Sequence, residues 1–271
     1  MKRIKLFMLM SIYVILLLQG CGSKVPAYDE NQSTKSILNN SKDSIDYNTY
    51  LKKIWVDENW DGGGTCYPIS FFITDIEDGM IKGKFKPRTI ADDKHFLGDF
   101  TGTIQNGTAD CRFDDKTGDK GNMILIFKEN NQLEVSVEYI EQEIENESLN
   151  GTYLFRPYNL TDVKKDIDPL KTHSLAVDLN SWGNVNLVTV VFTGNKPYPD
   201  AFLTNDDNDI LYRFGISSQN AFEVKDVSVE DMNNDGLVDI KIVTHCPEDP
   251  DIPNIERIFI QMENGSFRLS D

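Results

Sequence analysis

Between Tyr47 and Pro157 the chain repeats one pattern eight times: a short run of β-branched and aromatic residues, then a turn signal. The runs cover residues 50–56, 68–74, 80–86, 99–105, 108–113, 122–128, 132–139 and 151–156. Within several of them the apolar residues alternate, so that Ile69, Phe71 and Ile73 share one face, as do Met123, Leu125 and Phe127, and Leu133, Val135 and Val137. Period-two alternation is the mark of a half-buried strand. The pairs Asp78-Gly79, Asn106-Gly107, Thr117-Gly118 and Asn130-Asn131 suit hairpins, and Asn-Gly favours the primed two-residue turn. Successive hairpins with no helix between them predict an antiparallel meander, and eight such strands close into a barrel or split into a sandwich. Both architectures remain open at this level.

Residues 158–172, with Asp162, Lys164, Lys165, Asp166 and Pro169, read as a connector to a second β-rich domain over residues 173–271. There the near-continuous apolar run 185–192 predicts a central strand. Residues 210–214, 224–230 and 255–262 predict others, and Val238, Ile240 and Ile242 alternate inward. Pro197 and Pro199 mark a turn, as does Asn205-Asp206-Asp207-Asn208. The expected class is all-β: an eight-stranded antiparallel barrel or sandwich over 47–157, then a β-rich domain that carries the chain's most specific motif.

That motif is Asp231-Met232-Asn233-Asn234-Asp235-Gly236-Leu237-Val238-Asp239. Three carboxylates within nine residues repel one another unless a cation neutralises them, and hard oxygen donors at this spacing suit Ca²⁺. Gly236 permits the sharp turn that lets the Leu237 carbonyl face the same ion. At the twelfth position of the loop, where an EF-hand carries a bidentate Glu, stands Ile242, and the segment after the loop is strand-like, which argues against a helix-loop-helix. The segment resembles the D-x-[DN]-x-D-G-x-x-D loop of VCBS and FG-GAP type β-repeats. That resemblance implies calcium held by Asp231, Asn233, Asp235, Leu237 and Asp239 in an extracellular β-domain, and nothing about catalysis. The acidic turn Asn205–Asp209 lacks both the period-two ligand order and a glycine.

At the other end, Lys2, Arg3 and Lys5 precede an apolar stretch over residues 6–18, too short to span a membrane comfortably and suited to a signal-peptide core. It ends in Leu18-Gln19-Gly20-Cys21, which resembles the lipobox of bacterial lipoproteins. The resemblance implies cleavage after residue 20, two acyl chains on Cys21, and an outward-facing, lipid-anchored protein at the cell membrane. Residues 21–46 then form a polar tether with a random-coil span of ~28 Å. Loss of residues 1–20 removes three basic residues and no acid, leaving 24 Lys and Arg against 44 Asp and Glu, a formal charge of −20. Such a surface repels nucleic acid and anionic headgroups. Cys66 and Cys111 fall in the same predicted domain, where they form a bridge or leave Cys111 as a buried core thiol.

No nucleophile elbow, zincin motif or phosphate-binding loop occurs, and Gly62-Gly63-Gly64 lacks the lysine of a P-loop. His245-Cys246 has no second pair at zinc spacing. Trp55, Trp60 and Tyr67 line a barrel mouth or belong to the core. No catalytic residue stands out, and the expected role is non-catalytic binding or adhesion with structural Ca²⁺ and a protein or glycan partner. The rivals are an envelope polysaccharide hydrolase and a small-ligand carrier that uses the barrel. Cys21→Ser is expected to abolish incorporation of a fatty-acid probe in metabolic labelling; label retained by the variant would refute lipidation at that residue.

Overall fold

The alternating runs become eight strands that close on themselves. In the computed structural model the described residues are 45–60, 69–86, 98–115, 118–141, 150–163, 166–194, 197–216, 222–249 and 251–270. Cys21, Cys66, Tyr67 and most of the tether lie outside them. Strands β1 (Ile54–Asp57), β2 (Ser70–Glu77), β3 (Met80–Lys86), β4 (Gly98–Gln105), β5 (Thr108–Asp115), β6 (Lys120–Lys128), β7 (Gln132–Glu141) and β8 (Gly151–Pro157) form a closed antiparallel barrel in chain order. Pairing of β1 with β8, Val56 opposite Arg156, completes the ring and decides for the barrel over the sandwich. Asp78-Gly79, Asn106-Gly107 and Asn130-Asn131 have positive φ at both positions, the signature of the primed turn whose twist matches the strands it joins.

Inward-facing side chains fill the barrel. Trp55, fully buried, stacks between Tyr50 and Phe71, with ring centroids 5.6 and 6.1 Å away, and Phe155 meets Phe71 edge-on at 4.7 Å. A Cβ on Gly83 or Gly121 would collide with the rings of Phe100 and Phe113, so glycine there makes room for phenylalanine on the neighbouring strand. Cys111 is a free thiol in this interior, and desolvation, reinforced by Asp110, pushes its pKa up to about 12. Trp55 is core; Trp60 lies outside the barrel, edge-on to Tyr158 at 5.2 Å.

The second half is a pair of four-stranded antiparallel sheets. One has the order β12-β11-β10-β9, from β9 (His173–Leu179), β10 (Gly183–Phe192), β11 (Tyr198–Thr204) and β12 (Ile210–Arg213); the other is β13 (Glu223–Glu230), β14 (Asp239–His245), β15 (Ile255–Gln261) and β16 (Phe267–Leu269). They enclose a core of Leu179, Leu187, Leu203, Ile240, Ile242 and Phe259. Strand β10 is buried on both faces: Val185 and Leu187 enter that core, while Val188, Val190 and Phe192 pack in a second cluster on the outer side. Hence its apolar run is continuous rather than alternating. Pro199 corrects an expectation, because it lies inside β11, opposite Val191, and not in a turn. β12 pairs only with Phe202–Thr204, so the missing N–H of Pro199 interrupts no ladder on that side.

The described residues of the connector 158–172 are pinned at several points. A one-turn helix, α1 (Leu160–Val163), and the 3₁₀ turn Pro169–Lys171 bury Leu160, Val163 and Ile167 against the outer face of β10. Asn159 bridges to Asp209 and Ile167 to Phe192. Ile54 of β1 joins the same cluster, tying it to the barrel. One residue earlier, the Lys53 ammonium reaches the Asp209 carboxylate at 3.1 Å, and both side chains are at most 10% exposed. Asn159 and Asn205 each donate a side-chain N–H to the same carboxylate at 3.2 Å.

Removing one member of a buried, hydrogen-bonded ion pair leaves the other uncompensated, at a cost of about 3 to 5 kcal/mol. Lys53→Met is therefore expected to lower the unfolding free energy measured by urea denaturation by that amount, and adding Asp209→Leu to recover part of the loss. A single-variant loss below about 1 kcal/mol, the range of an exposed pair, would refute a structural role for Lys53.

Candidate functional site

Glu230 and Asp239 pair at the base of the β13–β14 hairpin, and the candidate metal loop is the segment between them. Its backbone turns through Asn234 (φ 62°) and Gly236 (φ 85°). Loop N–H groups hold the acidic side chains. Asp231 accepts from the N–H of Asp235 and Gly236 at 3.1 and 2.9 Å, Asn233 Oδ1 from Asp235 at 3.0 Å, and Asp235 Oδ1 from Leu237 at 2.8 Å. Such bonds fix a carboxylate's direction and leave it further lone pairs. Among the described residues no three Asp, Glu, His or Cys side chains gather into a metal-binding group, so the loop is ordered by its own N–H donors.

Asp239 is the exception to the exposure of this loop. Its residue is fully buried, and its carboxylate accepts from the N–H of Met232 at 3.0 Å and of Gln261 at 2.9 Å. Among the described residues it has no ion pair. A buried carboxylate balanced by two N–H dipoles alone still lacks a counter-charge. Asp231, Asn233, Asp235, the Leu237 carbonyl and Asp239 are oxygen donors of the type a hard divalent cation takes, but the described carboxylates do not converge on one point in this structure. The second acidic turn differs, because the Lys53 ammonium already neutralises Asp209.

One residue that the sequence pattern does not single out completes the loop. Asn180, in the β9–β10 turn of the opposite sheet, donates from Nδ2 to the Gly236 carbonyl at 3.2 Å and accepts from the Val238 N–H at 3.0 Å. The rest of this turn contacts other elements. Trp182 Nε1 donates to the Gly265 carbonyl at 2.8 Å, Lys52 Nζ donates to the Ser181 carbonyl at 2.5 Å, and the Trp182 ring lies 6.4 Å from that of Phe72 on β2. The turn thus touches the β13–β14 loop, the β15–β16 turn and the barrel wall.

Beside it runs a groove of about 2370 Å³ between the outer barrel surface and the second half of the chain. Trp60, Phe72, Tyr158, Trp182, Tyr198 and Tyr212 contribute aromatic surface to it. Burial pushes the Tyr158 and Tyr212 phenols above their usual range, so both are neutral donors at physiological pH. His245 lies 4.0 Å from Glu223, its cross-strand partner, and forms no metal cluster with Cys246 among the described residues.

No family model matches the chain, and comparison with curated proteins and with solved structures likewise finds no match.

Asn180→Ala removes both bonds across the sheets and is expected to cost about 1 to 2 kcal/mol. Chemical denaturation measures it, and a loss indistinguishable from zero would show that the loop needs no support from the opposite sheet.

Proposed function

We propose that the protein is a lipid-anchored binding protein of the bacterial envelope, held outward by Cys21, with a calcium ion stabilising its second half and a binding surface in the inter-sheet groove. The observation that carries this reading is the filled barrel. Trp55, Phe71, Phe100, Phe113 and Phe155 occupy its interior, and Gly83 and Gly121 are already in closest approach to Phe100 and Phe113. A carrier needs an enclosed apolar cavity, so the groove is the better candidate surface.

The hydrolase alternative would need a pair of carboxyl groups with one kept protonated in an apolar setting. Asp99 and Asp114 do face each other across β4 and β5 within the groove. Both are exposed, and Lys84 pairs with Asp99 at 3.0 Å, the setting of a solvated cross-strand charge row. Binding is therefore the preferred role.

Calcium would bind Asp231, Asn233, Asp235, Asp239 and the Leu237 carbonyl and supply the counter-charge that Asp239 lacks. Extracellular modules bind calcium at about 10⁻⁴ to 10⁻³ M, so ~1 mM calcium is expected to stabilise the native state by about 0.4 to 1.4 kcal/mol. Asp235→Ala should abolish the shift in melting temperature and Asp207→Ala should leave it intact. Equal melting with calcium and after chelation, with no calcium found by elemental analysis, would refute the metal site.

A further inference from the structure

The charge of this chain is unevenly placed. The whole sequence has 27 Lys and Arg against 44 Asp and Glu. Among the described residues that line the groove, the balance reverses, with eight Lys and Arg and five Asp and Glu. The strand register orders part of this charge into rows across the outer barrel surface. In one row Lys84, Asp99, Asp114 and Lys120 stand opposite one another on β3 to β6, and cross-strand bridges of Lys84 with Asp99 and of Lys120 with Glu141 neutralise its cations.

The adjacent row is different. It runs Lys82, Thr101, Arg112, Asn122, with Lys82 bridged to Asp75 at 3.2 Å. Arg112 has no ion pair among the described residues, and its cross-strand neighbours are a hydroxyl and an amide. Strand spacing sets Thr101 and Asn122 about 4.8 Å to either side of it. Along its own strand the exposed Asp110 and Asp114 share its face two residues to either side, so the guanidinium, with neutral donors only across the strands, can grip a single carboxylate or phosphate through two parallel N–H bonds but not a dense run of them.

We propose that Thr101, Arg112 and Asn122 form the anion-recognition row of the groove and that its ligand is an acidic glycan chain. The inference rests on the groove being the binding surface. A volume of about 2370 Å³ is more than twice the ~1,000 Å³ upper range of small-molecule pockets, which favours an extended ligand. Phe72, Trp182 and Tyr212 offer faces against which the C–H sides of sugar rings pack, while Arg112 takes the acidic substituent. The rest of the molecule is strongly negative, so a densely charged polymer such as nucleic acid is repelled. A glycan whose charges are separated by neutral rings meets Arg112 at short range and little repulsion beyond the screening length of ~8 Å.

Isothermal titration of the full chain in 1 mM calcium with a hyaluronan hexasaccharide, in which acidic and neutral sugars alternate, tests this. Neutral chitohexaose, hexaglutamate and a short single-stranded DNA are the comparison ligands. Hyaluronan is expected to bind best, with Arg112→Ala weakening it at least tenfold, Thr101→Val and Asn122→Leu each about threefold, and Lys225→Ala, outside the groove, leaving it unchanged. Arg112 is exposed, so unchanged melting of its variant verifies the fold. Chitohexaose binding that Trp182→Ala weakens and Arg112→Ala does not would overturn the acidic class and keep the groove. Hexaglutamate or DNA binding tighter than hyaluronan would overturn the glycan. No binding by any probe would overturn both the ligand class and the groove as the binding surface.

Discussion

Four residues, Ile54 to Asp57, hold the two halves of this protein in their present form. Strand β1 closes the barrel by pairing with β2 on one side and β8 on the other. Its inward residue, Trp55, is the largest side chain in the barrel core, and its outward neighbour Ile54 enters the cluster under the connector. Lys53, immediately before it, is committed to Asp209. A strand this short has little pairing energy of its own, so its position depends on what its side chains bury on both faces. Closure of the ring and attachment of the second half therefore rest on the same short strand.

A second tie runs from the β13–β14 loop. The β9–β10 turn places three consecutive residues against three different elements, with Asn180 on the loop, Ser181 accepting from Lys52, and Trp182 on the β15–β16 turn and beside Phe72. Any ion that rigidifies the β13–β14 loop thereby also steadies one end of the groove. The β13–β14 loop and the groove are thus connected through packing.

Much of the barrel was legible in advance because one side of each strand faces a dry interior, so burial writes itself into the sequence at period two. Positive-φ turns carry equally local signals, as Asn106-Gly107 illustrates. The second half was less legible for physical reasons. β9 is largely exposed and has little apolar alternation, β11 carries a proline at its second position where β12 does not reach, and β16 has only three residues. The connector's polar composition hid three buried apolar residues spaced among its charges. At the candidate site, the donors within nine residues could be read directly, whereas Asn180 is an ordinary turn residue until the fold brings it across. The Arg112 row likewise exists only through register, since its members come from separate strands.

The thiol of Cys111 gives the barrel a property that its outer surface lacks. Oxidants and alkylating reagents act on the thiolate, and here burial, reinforced by Asp110, disfavours that form of the sulfur. The wall must part before chemistry can reach it. Its rate of modification thus reports the frequency of barrel opening, and the protein carries its own clock for the loosening of β-sheet closure.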